Sequence, residues 1–219
     1  MSRITFALAK GRLAKKTLEI LDKIDIRPVD MTDESRKLVF NSADDNYSFF
    51  LAKPSDVPTY VDYGVADIGI VGYDTILEED RDLYECLDLK TGKCRMCVAA
   101  YPSKKELITG GEQIKVATKY PNIAQKYFDK LGKKAEIIKL HGSVELGAVI
   151  GLADCIVDIV ESGKTLDENG LVIINEICDL SARVIVNKVS IKTKHEEISK
   201  ILKEMEANLW KSITTKKNY

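Results

Sequence analysis

Short runs of apolar, β-branched residues alternate with stretches of helical periodicity along this chain, and the alternation runs through twice. In the first pass Ile4–Ala9 reads as a strand. Leu13, Thr17, Leu18, Leu21 and Ile24 then mark one face of a helix from Gly11 to Ile24. Leu38–Ser42 and Tyr47–Ala52 read as strands joined by a turn at Asp44-Asp45-Asn46. Pro54 opens a helix that Gly64 stops, and Ile68–Val71 is a buried strand before a helix near Thr75–Glu79. Tyr84–Leu89 and Cys94–Ala100 complete this pass as strands. The second pass sets strands at Ile114–Thr118, Ala135–Leu140 and Cys155–Val160. Between them fall a helix opened by Pro121 and capped by Gly132, and one N-capped by Ser143 and running to Leu152. Leu171–Ile177 and Arg183–Val189 are again β-rich. The last helix carries Ile198, Ile201, Leu202, Met205 and Leu209 as its stripe, with Thr193 and Glu196 spaced as a capping box.

Such alternation predicts an α/β protein with parallel sheets, because the crossover helices cover both faces. Two blocks within 219 residues predict two α/β lobes, with a break near Thr91-Gly92-Lys93. The final helix has no later element to pack on and is expected to return to the first lobe. Residues 1–91 and 182–219 would then form one discontinuous domain, and 92–181 the other. Ligands of such lobes bind at the C-terminal ends of the strands, facing the cleft between them.

A formal net charge of −1, with acids and bases interspersed, supplies no global field for nucleic acid or an acidic membrane. No apolar run approaches the ~20 residues that span a bilayer, and Met1–Leu8 reads as a strand rather than a signal peptide. The chain is therefore expected in the cytoplasm. Five cysteines, an odd number, fit a reducing compartment. Cys94-Arg-Met-Cys97 has CxxC spacing inside an apolar segment, and both a core-thiol role and a redox or metal role stay open. His141 and His195 have no metal-ligand company, and no metal ligands are assigned. Lys216 and Lys217 read as a solvated tail.

Chemistry concentrates where the apolar strand at Cys155–Val160 ends. Asp158 and Glu161 stand at its C-terminal edge, and Ser162-Gly163-Lys164-Thr165 leads into a helical turn. Gly163 lets the backbone turn tightly, so the N–H groups of Ser162 to Thr165 can form a nest for a phosphate. Lys164 adds positive charge or points to solvent. The two acids are placed to accept hydrogen bonds from ribose hydroxyls or to hold a metal-bound water. The spacing is not that of a Walker A loop. On these residues alone, a solvated β-turn with a helix cap is an equal reading.

Further segments resemble one family throughout the chain: Lys10-Gly11-Arg12-Leu13, Ser35-Arg36-Lys37-Leu38, Asp56-Val57-Pro58-Thr59-Tyr60-Val61 and Gly64 to Gly72. Ala117-Thr118-Lys119-Tyr120-Pro121, Gly142-Ser143-Val144-Glu145 and Gly151-Leu152-Ala153-Asp154 follow in the same order. Together with the Asp158–Thr165 loop, they resemble ATP phosphoribosyltransferase in its short form. That resemblance implies two lobes of the type II periplasmic-binding-protein kind around a cleft. It also implies transfer of a phosphoribosyl group from phosphoribosyl pyrophosphate to N1 of ATP, the first step of histidine biosynthesis. Asp158, Glu161, Ser162, Gly163, Lys164 and Thr165 would bind phosphoribosyl pyrophosphate. Lys10, Arg36, Lys53, Asp74 and Tyr120 would line the ATP side, with Lys53 and Arg36 acting in catalysis. Mg²⁺ would arrive bound to substrate. The resemblance further implies a separate regulatory subunit related to histidyl-tRNA synthetase, with a homodimer alone and a hetero-octamer with that partner. One departure stands out: Lys53 occupies a position where the family usually has arginine, which keeps the charge and loses the planar fork. A non-enzymatic solute-binding module and a purine-salvage phosphoribosyltransferase are the competing classes.

Overall fold

Each of the two sheets in the computed structural model, which describes residues 3–32 and 35–216, combines three parallel strands with antiparallel ones. Side chains are described as far as Leu209, so the basic pair at Lys216 and Lys217 lies outside them. The chain divides into one unit of Met1–Gly92 with Ser181–Tyr219 and a second unit of Lys93–Leu180. The first contains β1 (Ile4–Ala9), α1 (Arg12–Asp22), β2 (Val39–Asn41) and β3 (Tyr47–Ala52). A 3₁₀ turn at Pro54–Asp56 leads to α2 (Val57–Asp62), then β4 (Ile68–Gly72), α3 (Tyr73–Glu79) and β5 (Tyr84–Asp88). The second unit holds β6 (Cys94–Ala100), α4 (Lys105–Thr109), β7 (Ile114–Thr118), α5 (Pro121–Lys130) and β8 (Ala135–Lys139). It continues with α6 (Glu145–Val149), β9 (Cys155–Val160), α7 (Lys164–Glu168) and β10 (Val172–Leu180). The chain then re-enters the first unit with β11 (Ala182–Val186), α8 (Ser190–Thr193) and α9 (His195–Lys216).

Strand order is β2-β3-β1-β4-β11-β5 in the first sheet and β10-β6-β9-β7-β8 in the second. β1 runs parallel to β3 and β4, and β7 parallel to β8 and β9. The other pairings are antiparallel, so the sheets are mixed rather than parallel throughout. For β2 and β3 the reason is local, since the turn at Asp44 is too short for the crossover a parallel pair requires.

The central strands are apolar on both faces because helices cover both. Phe6, Leu8, Ile68, Ile70 and Val184 point into a core shared with Leu21 of α1 and Ile198, Ile201 and Met205 of α9. Ala7, Ala9, Val71 and Ile185 point the other way, toward Val57 and Val61 of α2. Gly69 permits that second contact: a Cβ there would lie 2.7 Å from Val61 and 2.9 Å from Ile185.

Two predicted caps do not form. Thr193 closes α8 instead of opening α9, donating its hydroxyl to the Val189 carbonyl at 3.1 Å. The turn starts earlier because Asn187 Oδ1 accepts the N–H groups of Val189 and Ser190, each at 2.9 Å. Ser143 has a φ of +47° and stands before Val144, the N-cap of α6, and that helix stops at Val149. The left-handed backbone there removes Ser143 from the extended conformation a capping serine adopts.

Asp88 ends β5 close to where the chain leaves the first unit. It accepts the Ser181 hydroxyl at 2.7 Å and the Lys90 N–H at 2.8 Å, with Arg183 Nη1 3.1 Å away. Burial alone would raise its carboxyl, but hydrogen bonds from Lys90 and Ser181 and the Arg183 charge outweigh it and hold the group at about 2. A depressed folded value contributes stability above the ordinary aspartate value, which is lost as pH falls toward the folded one. Asp88→Asn should therefore cost about 1 kcal/mol at neutral pH, reduced from the full linkage value because part of the group faces water. Urea midpoints should show the gap between the two proteins shrinking as pH drops below about 4. A gap that stays constant into that range would contradict the assignment.

Candidate active site

β7, β8 and β9 run parallel, so the turns after them share one edge of the second sheet. The chain passes from β7 to β8 on one side, then returns through α6 to β9 on the other side of β7. A crevice opens at such a switch of direction, beyond the C-terminal ends of the strands. A hollow of about 310 Å³ lies at this edge, lined by Glu145, Asp158 and the segment from Glu161 to Thr165.

Gly163 has φ +81° and ψ −8° and serves as the N-cap of α7. The Asp167 N–H returns to the Gly163 carbonyl at 3.1 Å, and the Lys164 N–H reaches Ser162 Oγ at 3.4 Å. First-turn N–H groups of a helix lack intrahelical acceptors and point out of its N-terminus, where the backbone dipoles favour an anion. The Lys164 ammonium turns toward Glu168, 3.7 Å away and one turn along. The positive potential at the turn therefore comes from backbone more than from Lys164.

Asp158 is half-buried on the face of β9 that also carries Ile156 and Val160, and it accepts the Ile159 N–H at 2.8 Å. Burial pushes its carboxyl above the ordinary aspartate value and the nearby Glu145 carboxylate adds to this, while the Ile159 N–H and the Lys119 charge oppose it. Lys119 follows β7 and lies 5.9 Å over the ring of Tyr120, which is buried. Glu145 and Lys119 were not singled out as site residues from the sequence. A signal was available: Lys119 directly follows a parallel strand, and Glu145 opens the helix after the next one.

The first unit repeats the arrangement. Lys10, Lys53 and Asp74 follow the C-terminal ends of the neighbouring strands β1, β3 and β4, and the Lys10 N–H donates to the Ala52 carbonyl at 2.8 Å. A hollow of about 580 Å³ has Lys10, Lys15, Arg36 and Lys37 on its lining, with Leu18, Met31, Phe40 and Leu51 as apolar surface. Lys10 and Arg36 thus come together. Lys53 and Asp74 do not line that hollow. Lys53 is exposed at the head of the 3₁₀ turn, where its carbonyl accepts the Asp56 N–H at 2.9 Å. Asp74 sits in the first turn of α3 and accepts the Thr75 hydroxyl at 3.5 Å.

Cys86, Cys97 and Cys155 are free thiols, and burial pushes Cys155 up to about 12. Cys94 and Cys97 are three positions apart on β6 and so face opposite sides of the sheet, which separates the CxxC pair. Among the described residues, no three His, Cys, Asp or Glu side chains group to hold a metal ion. Nor is any helix among them long and apolar enough to cross a membrane.

The family model for ATP phosphoribosyltransferase matches residues 53–207. An ATP phosphoribosyltransferase of Lachnoclostridium phytofermentans is 60% identical over 207 residues, spanning 94% of this chain and 96% of the relative. Among solved structures, the ATP phosphoribosyl transferase (HisG:HisZ) complex from Thermotoga maritima matches with a TM-score of 0.82 and 36% identity, over 94% of this chain and 98% of that one. Tv2483 bound to L-arginine matches with a TM-score of 0.61 over 99% of this chain and 86% of that one. At 12% identity this last likeness shows the fold alone, two α/β lobes of the periplasmic-binding-protein kind.

The turn at Gly163 invites a direct test. A Cβ there would meet only Val160 Cγ1, at 3.9 Å, so a substitution strains the backbone without a clash. Gly163→Val should destabilise the protein by about 1–3 kcal/mol, the cost of a β-branched residue in the left-handed region. Thermal unfolding at wild-type temperature would show that the turn does not need that conformation.

Proposed function

We propose, from the premise that this chain belongs to the ATP phosphoribosyltransferase family, that phosphoribosyl pyrophosphate is held at the turn between β9 and α7. The chain transfers the phosphoribosyl group to N1 of ATP, the first step of histidine biosynthesis. The observation that carries the site assignment is the left-handed Gly163 N-cap, with outward N–H groups beside the carboxyls of Asp158 and Glu161. The N–H groups and the hydroxyls of Ser162 and Thr165 receive the 5′-phosphate. Asp158 and Glu161 accept hydrogen bonds from the ribose hydroxyls, and Lys164 adds a distant positive charge.

In the reaction, adenine N1 attacks C1′ while the bond from C1′ to the pyrophosphate oxygen breaks, with inversion. Positive charge grows on the ribose and negative charge on the leaving group. Lys53 and Arg36 are assigned to the departing pyrophosphate, and Lys10, Asp74 and Tyr120 to binding ATP. No covalent nucleophile is needed, and rate enhancement comes from alignment and electrostatic stabilisation. Mg²⁺ would arrive on phosphate oxygens and water, a coordination that needs few ligands from the protein. Such an ion would neutralise the pyrophosphate charge.

The solved relative from Thermotoga maritima is a complex of two proteins. By extension, this chain works in the cytoplasm with a regulatory subunit related to histidyl-tRNA synthetase. It is a homodimer alone and a hetero-octamer with that partner, and histidine acts through the partner.

The test is ultraviolet absorbance of the chain with ATP, phosphoribosyl pyrophosphate, Mg²⁺ and pyrophosphatase, without and with the partner subunit. New absorbance that depends on both substrates is expected, and silence with the partner present would overturn the reading. Gly163→Val should raise the KM for phosphoribosyl pyrophosphate about tenfold or more, and unchanged kinetics would remove the turn from the site. Lys53→Arg should retain activity, whereas Lys53→Ala should lose roughly 10–100-fold in kcat/KM. An alanine variant with wild-type rates would take Lys53 out of catalysis.

A further inference from the structure

Thr118 is fully buried at the last position of β7. It pairs with Val157 of β9. A hydroxyl buried this completely costs free energy unless it is hydrogen-bonded. Both of its capacities are used. Thr118 Oγ1 donates to the Val157 carbonyl at 2.6 Å and accepts the Tyr120 N–H at 2.9 Å.

The β7–β9 ladder ends at this pair, so the hydroxyl is the last tie before the two strands part into the crevice. Val157 immediately precedes Asp158. Tyr120 immediately precedes Pro121, whose ring nitrogen has no N–H to give and which starts α5. One buried oxygen therefore fastens the peptide that delivers Asp158 to the peptide that delivers Tyr120.

We infer that Thr118 is a positioning residue for the transfer reaction, its hydroxyl fixing Tyr120 relative to Asp158 across the end of β7. This rests on the reading above, in which Asp158 and Tyr120 meet substrate; Thr118 itself is too buried to touch one. Thr17 provides a contrast. It is also buried, yet its Oγ1 has no hydrogen-bond partner among the described residues.

Thr118→Val, Thr118→Ser and Thr17→Val separate a tie from mere packing. Thr118→Val should raise the KM for both substrates by roughly fivefold, the fold-change of one hydrogen bond's net worth, with kcat changed less. Thr118→Ser keeps the hydroxyl and should stay near wild type, as should Thr17→Val. Amide hydrogen exchange at Tyr120 gives a readout independent of activity. It should quicken about tenfold in Thr118→Val and stay protected in Thr118→Ser. If the valine variant does not fold, Thr118→Ala carries the same expectation. Wild-type KM values in the valine variant, or a serine variant as impaired as valine, would overturn the proposal. A wild-type protein inactive with its partner present would sink the substrate reading instead, and the Tyr120 exchange pattern would still decide whether the tie exists.

Discussion

A parallel pair of strands needs a crossover, and in each unit the second crossover must pass over the first strand to reach its far side. β1 and β7 therefore sit inside their sheets, flanked by β3 and β4 in one case and by β8 and β9 in the other. Three strand ends then line up on one edge in each unit. The first unit places Lys10, Lys53 and Asp74 there, and the second places Lys119, Glu145 and the Glu161–Thr165 turn. The chain direction switches beside β1 and β7, which is what leaves room for a ligand at those edges.

The two edges differ in charge. In the first unit the larger hollow has lysines and an arginine over an apolar floor. In the second, three acids line the smaller hollow, and the compensating positive character comes from N–H groups at the start of α7. Asp158 shows the consequence, because burial and the Glu145 charge hold its carboxyl above the usual range while Lys119 pulls the other way.

Some of this is legible in the residues alone. Strands covered on both faces must be apolar at successive positions, and Phe6 to Ala9 and Ile68 to Val71 show it directly. The turn at Gly163 is legible because a left-handed N-cap after a strand favours glycine, whatever surrounds it. The capping box at Thr193 and Glu196 has the right spacing and does not form. Asn187, two residues before Val189, captures the N–H groups of Val189 and Ser190, and it is itself held by donating to the Val61 carbonyl at 2.8 Å. That carbonyl lies 126 residues away in sequence, and no local pattern announces it.

The sequence by itself determined the α/β class, the order of strands and helices, and the Gly163 turn, because each follows from side-chain periodicity or from the backbone limits of one residue. Only the tertiary structure decided that β6, β10 and β11 pair antiparallel with their neighbours, and that Glu145, Lys119 and Asp158 share one field. It also decided that the Thr118 hydroxyl joins Val157 to Tyr120. These depend on pairings between segments far apart in the chain, and pairing energy is set by distances that exist only after the sheet has closed.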